Sequence, residues 1–168
     1  MNYAGAGLLI LSPDLGSLLC VFDARSRKWG PPKGHREPYD TSDLQTAERE
    51  VHEETGLTTD DYTVIPELFK ISKGSQSYLF RYAIVKDEAR KTGVKPGSVA
   101  EIAEVRWIPI QQLVAADSVL DGNKYLRTWI TDIKQNVSKK SVHLFRSLCS
   151  RLLPLQESTS PANVITCG

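Results

Sequence analysis

Cysteine is scarce in this sequence, with three among 168 residues, and no two of them have the spacing of a metal or redox motif. An odd, sparse set of cysteines argues against a disulfide framework and indicates a reducing compartment. No apolar run approaches the roughly 20 residues that a membrane-spanning helix needs. The apolar start also lacks the basic segment of a signal peptide. We therefore expect a cytoplasmic location, with the nucleus as the alternative, and no membrane partner.

An excess of charge of either sign is also lacking. Lys and Arg total 21 against 20 Asp and Glu, which gives a formal net charge of +1. Such a balance provides no global field toward nucleic acid or an anionic membrane, so a site for a polyanion must be a local patch. Hydrophobic residues make up 40% of the chain, enough for a core at this length. The length fits one domain with an extension better than two domains.

The order of the sequence patterns predicts an α/β (α+β) domain. Apolar runs and alternating patterns predict strands, and apolar residues at helical spacing predict helices. The helix after Ser42 is the clearest, because Ser42 suits an N-cap and Gly56 suits the position after a helix. The Pro- and Gly-rich stretch 29–38 predicts an ordered loop or a short edge segment. The predicted strands are 3–12, 17–24, 62–72, 76–86 and 101–108, and the predicted helices are 42–55, 110–116, 123–137 and 141–153.

This order of strands, one helix, strands and further helices indicates a mixed sheet between helices, an α/β/α architecture. We expect a domain at 1–137, a helical extension at 138–154 and a flexible tail at 155–168, with a mobile polar loop at 87–100. The extension could cap the domain, dimerise or bind a partner, and capping is the simplest of the three. The sequence leaves open whether the protein is a monomer or a homodimer.

The stretch REVHEE at 49–54 carries the strongest chemical signal. Glu50, Glu53 and Glu54 are spaced i, i+3 and i+4, so a helix places the three carboxylates on one face. These anions repel one another, and a hard divalent cation such as Mg²⁺ or Mn²⁺ relieves the repulsion through oxygen ligands. Metals held in this way serve phosphate chemistry, because they neutralise charge and activate water. A solvated acidic face on a good helix former explains REVHEE alone equally well.

The segment from Gly34 to Leu57, GHREPYDTSDLQTAEREVHEETGL, resembles the Nudix box, G-x5-E-x7-R-E-U-x-E-E-x-G-U, in which U is aliphatic. The resemblance implies the Nudix fold, a mixed sheet between helices, here with an extra C-terminal helix. It also implies a Mg²⁺- or Mn²⁺-dependent hydrolase that cuts phosphoanhydride bonds in a small phosphorylated substrate. The matching positions are Arg49, Glu50, Val51, Glu53, Glu54, Gly56 and Leu57.

Roles for individual residues follow from the same resemblance. The family pattern implies that the metal is held by carboxylates of the box together with one backbone carbonyl. It also implies a further carboxylate from beyond the box, for which Glu101 is favoured over Glu104. Which glutamate acts as the base stays open. The implied metal ligands are Glu50, Glu53, Glu54 and the carbonyl of Gly34 or Lys33, and the implied catalytic residues are Glu53, Glu50, Arg49 and Glu101.

One departure from the box concerns its first glutamate. The stretch before Arg49 is one residue longer than the family pattern, so this glutamate falls on Thr41. We expect a one-residue insertion near 38–42, with Asp40 or Asp43 as the nearest substitute. In the family this glutamate is mainly supportive, so its loss bears on loop geometry more than on metal binding.

The Pro-rich loop points to a substrate. WGPPKGHREP at 29–38 resembles the W-x-P-P-K-G-H-x-E-P stretch of the animal and archaeal type of diadenosine tetraphosphate hydrolase. The resemblance implies asymmetric cleavage to ATP and AMP, with cations along the phosphates and aromatic rings against adenine. Ordinary core packing explains the aromatic residues as well. The substrate-binding candidates are Lys33, Arg36, His35 and Lys28, with Lys73 or Arg81 as further cations, and Tyr78, Phe80 and Tyr82 for the base.

Other functions remain as alternatives. Similar loops occur in diphosphoinositol polyphosphate phosphatases and in mRNA-decapping Nudix enzymes, for which an RNA cap would be the partner. A different class is an inactive Nudix fold used as a ligand-binding module. Such modules usually lose at least one glutamate of the box, whereas this chain keeps all three in REVHEE.

Overall fold

The computed structural model describes residues 3–88, 91, 94–97, 100–115 and 117–138. The chain divides into two compact units, Met1–Thr131 and Asp132–Gly168. The described part of the second unit is the helical segment 132–138. The predicted helix 141–153 and the predicted tail lie outside the described residues. Within the described part, no helix combines the length and the apolar character that crossing a membrane requires.

The described elements confirm the predicted α/β (α+β) class. The Pro- and Gly-rich stretch contains two short strands, which fits the expectation of a short edge segment there. In chain order the elements are β1 (Gly5–Leu11), β2 (Ser17–Asp23), β3 (Lys28–Gly30), β4 (Lys33–His35), α1 (Asp43–Thr55), β5 (Tyr62–Lys73), β6 (Gln76–Val85), β7 (Ile102–Pro109), α2 (Ile110–Val114) and α3 (Lys124–Ser138).

The sheet is built around β1. This strand pairs in parallel with β6 along its whole length, from Gly5 opposite Tyr78 to Leu11 opposite Ile84. Its other edge pairs antiparallel with β4 at the start and with β2 at the end. β2 also pairs with β3 and β7, and β6 pairs with β5, all antiparallel. The described strands form one mixed seven-stranded sheet whose main order is β3-β2-β1-β6-β5.

Both faces of β1 are covered, and all of its residues are buried. On one face, Leu8 and Ile10 belong to a core cluster with Val51 of α1. On the other face, Tyr82 of β6 accepts a hydrogen bond of 3.0 Å from the indole N–H of Trp129, in the part of α3 that belongs to the first unit. A strand that is buried on both faces has a continuous apolar sequence. The run LLIL therefore predicts the position of β1 well.

Two glycines of β1 allow β4 to lie close beside it. A Cβ at Gly5 would lie 2.2 Å from the carbonyl oxygen of Gly34, and a Cβ at Gly7 would lie 2.4 Å from that of Pro32. A side chain at either position would therefore displace the backbone of residues 32–34. This close approach places Lys33 and Gly34 next to α1.

The helix α1 begins and ends as its sequence predicts. The Ser42 side chain accepts a hydrogen bond from the backbone N–H of Gln45, and Asp43 lies in the first turn, where the helix dipole favours an anion. Gly56 is left-handed, with φ of 73°, and its N–H donates to the carbonyl of His52. The buried face of the helix consists of Thr46, Ala47, Val51 and Thr55.

Residues 94–97 close the C-terminal end of α1. The backbone N–H of Lys95 donates to the carbonyl of Thr55 at 3.5 Å, and that of Gly97 donates to the carbonyl of Glu54 at 3.4 Å. Val94 packs against the core cluster. The sequence predicts a mobile polar loop over this stretch, but Lys95 and Gly97 donate to carbonyls that a helix end leaves without partners.

We expect Gly97→Ala to destabilise the protein. A Cβ at Gly97 would lie 2.3 Å from the carbonyl oxygen of Glu53, so the helix end or the segment has to move. Overpacking of this kind costs about 1–3 kcal/mol in the free energy of unfolding, which urea denaturation measures. Gly16→Ala is the matched control, because its nearest neighbour is the flexible Asp14 side chain at 3.2 Å. Equal stability of the two variants would contradict the proposed contact.

Candidate functional site

The site lies where β4 meets the carboxylate face of α1. The backbone N–H of Lys33 donates to the Oε2 atom of Glu54 at 3.0 Å. Gly34 lies directly against Glu50, since a Cβ on Gly34 would be 2.1 Å from the carboxyl carbon of Glu50. The structure therefore brings together four residues that the sequence predicts as neighbours, and it explains why a glycine is needed at position 34.

Arg49 binds two glutamates of α1 and the backbone of β4. Its Nη1 atom donates to Oε1 of Glu50 at 2.8 Å and to Oε2 of Glu53 at 3.2 Å. Its Nη2 atom donates to the carbonyl of His35 at 2.9 Å. One guanidinium thus connects two carboxylates of α1 to the end of β4. Glu53 is the more exposed of the two, with 53% of its side chain accessible.

Asp40 is one of the two candidates for the first glutamate of the box, and it contacts Arg49. Its side chain is fully buried, and its Oδ2 atom accepts hydrogen bonds from Nη2 of Arg49 at 3.0 Å, from Oγ1 of Thr46 at 2.9 Å and from the backbone N–H of Glu37 at 2.9 Å. Of the two candidates, Asp40 therefore lies against Arg49, at the spacing from Gly34 that the box gives. Asp43 instead pairs with Arg81 of β6 at 2.8 Å.

The Arg49 hydrogen bond and burial shift the pKa values of these acids in opposite directions. The hydrogen bond from Arg49 holds the pKa of Asp40 at about 2, well below its ordinary value. Burial raises the pKa of Glu54 to about 8, although Lys33 opposes the shift. Burial also raises the pKa of Glu50. Two buried carboxyls whose ionised forms are disfavoured are the kind of group that a divalent cation stabilises.

The residues present fit an oxygen-liganded divalent cation. Carboxylates and backbone carbonyls are the donors that Mg²⁺ and Mn²⁺ prefer, and Glu50, Glu54 and Gly34 lie together. In the described arrangement, however, Arg49 engages Glu50 and Glu53, and no three acidic, histidine or cysteine side chains among the described residues converge as a ready metal cage. Metal binding would therefore require these glutamates to exchange part of their contact with Arg49.

An open pocket of about 150 Å³ lies beside Glu54. Glu101 lines it, as the sequence predicts for a carboxylate from beyond the box. Glu104 instead pairs with Arg106 on an exposed part of β7. Sequence reasoning missed two charged residues of the pocket, Asp23 and Arg25, and the signal that could have found them is their position where an apolar strand, β2, ends. The described lining residues are Asp23, Arg25, Glu54, Ala100 and Glu101.

The predicted phosphate-binding residues form two groups. Lys33 and His35 lie beside the rings of Tyr125 and Tyr78, and the other cations contact residues elsewhere. The Lys33 ammonium lies 5.1 Å from the ring centroid of Tyr125, and the His35 ring lies 5.8 Å from that of Tyr78. Lys28 pairs with Asp121 at 3.7 Å, Arg36 lies over the ring of Tyr3, and Arg81 pairs with Asp43. Only Lys33 among these cations therefore has a described contact with the glutamates of α1, whereas the side chain of Lys73 lies outside the description.

Burial corrects the prediction for two of the aromatic residues. Phe80 is 1% exposed and Tyr82 is 2% exposed, so neither offers a face to a base, and core packing accounts for both. Tyr78 keeps 8% exposure and lies against Tyr125, with ring centroids 4.8 Å apart. The Lys124 ammonium lies over the Tyr125 ring at 4.7 Å. Tyr125 and Lys124 were missed because a sequence does not show that the start of α3 lies beside β6.

Residues 1–130 of the chain match the family described as the NUDIX domain. The match covers most of the chain, and the chain belongs to the Nudix family. The predicted resemblance and the predicted fold are therefore confirmed.

Two curated relatives match over shorter segments. MutT4 of Mycobacterium tuberculosis (strain CDC 1551 / Oshkosh) is 33% identical over 109 residues, which cover 60% of this chain and 40% of that protein. The asymmetrical bis(5'-nucleosyl)-tetraphosphatase of Sus scrofa is 57% identical over 37 residues, which cover 22% of this chain and 24% of that enzyme. The matched segments thus span less than half of either relative.

Solved structures show the same fold. An Ap4A hydrolase of C. elegans in a binary complex has a TM-score of 0.55 at 22% identity, covering 78% of this chain and 98% of that one. The Nudix hydrolase RenU of M. Smegmatis has a TM-score of 0.58 at 19% identity, covering 82% and 86%. At these identities the likeness concerns the fold alone.

We expect Asp40→Asn to remove an acid-sensitive part of the stability. Because the folded pKa of Asp40 is about 2, below its ordinary 3.8, its ionised form stabilises the fold above pH 3.8, and this is lost as the pH falls toward 2. The wild type should exceed the variant by about 2 kcal/mol in unfolding free energy near neutral pH. Urea denaturation should show this difference shrinking as the pH is lowered from about 5 to about 2.5.

Asp60→Asn is the control for removing one surface carboxylate. A difference between wild type and Asp40→Asn that stays constant with pH would contradict the assigned ion pair.

Proposed function

We propose that this protein is a divalent-metal-dependent hydrolase that cleaves diadenosine tetraphosphate asymmetrically into ATP and AMP. The position of Lys33 carries the proposal. Its backbone N–H binds Glu54, and its ammonium lies over the ring of Tyr125. A single residue thereby links the carboxylates suited to phosphate chemistry with an aromatic cluster suited to a base.

Enzymes of the Nudix family generally use divalent metal ions. Here Glu50, Glu53 and Glu54 with the carbonyl of Gly34 would hold Mg²⁺ or Mn²⁺, as the raised pKa of Glu54 and the oxygen donor set support. The metal would lower the pKa of an attacking water and neutralise charge on the phosphoryl oxygens.

The chain's own side chains supply position and charge. Arg49 orients Glu50 and Glu53 by charge-assisted hydrogen bonds. Lys33 brings a positive charge next to Glu54, which would attract a phosphate chain to the carboxylates of α1. Glu53, which is half exposed, and Glu101, which lines the pocket, are the residues that would accept a proton from water.

The aromatic–cation cluster is defined as Tyr78, Tyr125, Lys33, Lys124 and His35. Lys124 is exposed, and its ammonium lies over both tyrosine rings. An adenine that stacks there would take the place of this flexible ammonium, which could then contact phosphate. Stacking of a base on an aromatic ring is worth about 1–3 kcal/mol.

The relatives add support from outside the site. The C. elegans structure of the same fold is an Ap4A hydrolase, and the local match in Sus scrofa is to a bis(5'-nucleosyl)-tetraphosphatase. The substrate panel also distinguishes three alternative functions: a diphosphoinositol polyphosphate phosphatase, a decapping enzyme and an inactive ligand-binding module.

The test is product release from a panel of diadenosine tetraphosphate, a diphosphoinositol polyphosphate and capped RNA, with Mg²⁺ or Mn²⁺. We expect ATP and AMP from the first compound, and loss of this activity in Glu53→Gln. Preference for the inositol compound or the cap would overturn the proposal that diadenosine tetraphosphate is the substrate. Tight nucleotide binding without any turnover would support the inactive ligand-binding module.

Two variants separate stacking from charge in the same assay. Tyr125→Leu should raise the KM for diadenosine tetraphosphate about tenfold, because it removes a stacking face. Lys28→Gln is the control and should leave KM unchanged, since Lys28 pairs with Asp121, which is not a member of the cluster. Unchanged KM in Tyr125→Leu, with loss of activity on neutralising Lys28 and Arg36, would favour the inositol substrate.

A further inference from the structure

A series of buried hydrogen bonds connects Tyr3 through Thr46 and Asp40 to Arg49. The Tyr3 hydroxyl lies 3.0 Å from Oγ1 of Thr46, and Oγ1 of Thr46 lies 2.9 Å from Oδ2 of Asp40. Asp40 in turn binds the Arg49 guanidinium through Nη2 at 3.0 Å and Nε at 3.4 Å. Thr46 has no exposed surface, so water cannot replace a partner that is lost.

The negative charge of Asp40 determines which hydroxyl donates in each of these hydrogen bonds. An ionised carboxylate only accepts hydrogen bonds, and the low pKa of Asp40 keeps it ionised. Thr46 must therefore donate its single proton to Asp40, although the Ser42 carbonyl at 3.3 Å competes for it. The lone pairs of Thr46 then accept the proton of Tyr3. Each hydroxyl has one orientation that satisfies its neighbours.

These hydrogen bonds fix the orientation of the Asp40 carboxyl group toward Arg49. An aspartate is one carbon shorter than the glutamate of the family pattern, and one extra residue separates it from Arg49. Its carboxyl group must be turned so that both oxygens face Arg49. Thr46 and the N–H of Glu37 both donate to the same oxygen of Asp40 and hold its carboxyl group in this orientation.

We propose that Thr46, with Tyr3 behind it, is a positioning residue for the carboxylates of α1. Thr46 orients Asp40, Asp40 fixes two nitrogens of Arg49, and the remaining Nη1 is thereby aimed at Glu50 and Glu53. The kinetic part of this proposal rests on the hydrolase function proposed above. Its geometric part does not, because the contacts are made within the protein alone.

Nuclear magnetic resonance of nitrogen-15-labelled protein tests the geometric part. The Nε–H of Arg49 should exchange with water about tenfold faster in Thr46→Val, which keeps the shape and removes the hydroxyl. Thr46→Ser, which restores the hydroxyl, should exchange like wild type. The Nε–H of Arg81, which donates to Asp43 on the same helix at 2.8 Å, is the internal control and should not change.

Either of two results would overturn the proposal. The first is an Arg49 resonance unaffected by Thr46→Val. The second is an equal change at Arg81, because it would show that the variant loosens the whole helix rather than the orientation of Asp40.

Kinetics with diadenosine tetraphosphate test the functional part. Thr46→Val should lower kcat about tenfold with KM within about twofold of wild type, and Thr46→Ser should recover kcat. Tyr3→Phe should give a smaller loss, since Thr46 still donates to Asp40. Equal kcat in Thr46→Val and wild type would overturn the positioning role.

The two proposals fail in distinguishable ways. A wild type that cleaves no substrate refutes the proposed function, yet the resonance of Arg49 still reports whether Thr46 controls its orientation.

Discussion

The ion pairs of Arg49 are the interaction on which the rest of the site depends. One guanidinium binds Asp40, the carbonyl of His35, and the carboxylates of Glu50 and Glu53. An arginine suits this position because its five donors lie in a fixed plane, whereas the ammonium of a lysine is a compact point charge. The Nη2 atom of Arg49 pairs with Asp40. Its Nη1 atom binds Glu50 and Glu53 and so offsets the repulsion between these two carboxylates on one helix face. The loop after β4 and the helix α1 are thus held by a single side chain.

The local features of this arrangement could be predicted from the sequence. The caps at Ser42 and Gly56 and the helical spacing of the glutamates depend on neighbours within a few residues, so α1 was predicted nearly to its observed bounds. The same holds for the apolar strand β1. The sequence favours Glu101 over Glu104, because Glu104 fits an outward-facing strand residue, and the structure puts Glu101 on the pocket beside Glu54.

The remaining features depend on contacts between distant segments. Whether Asp40 or Asp43 replaces the first glutamate depends on which one points inward, and that is fixed by Thr46 and Arg49 rather than by spacing. Tyr125 joins the site because α3 packs beside β6. Phe80 alternates like a residue on an exposed face, but α3 covers it. Alternation identifies the face of a strand and does not show what covers it.

The most direct test of the account is the turnover of diadenosine tetraphosphate by wild type and Arg49→Lys, measured side by side with Mg²⁺. Lysine keeps the charge but cannot bind Asp40, Glu50 and Glu53 together. The account predicts that the wild type releases ATP and AMP, and that the variant stays folded while its kcat falls about 100-fold. A folded Arg49→Lys protein that turns over at the wild-type rate, or a wild type that releases no nucleotide, would contradict it.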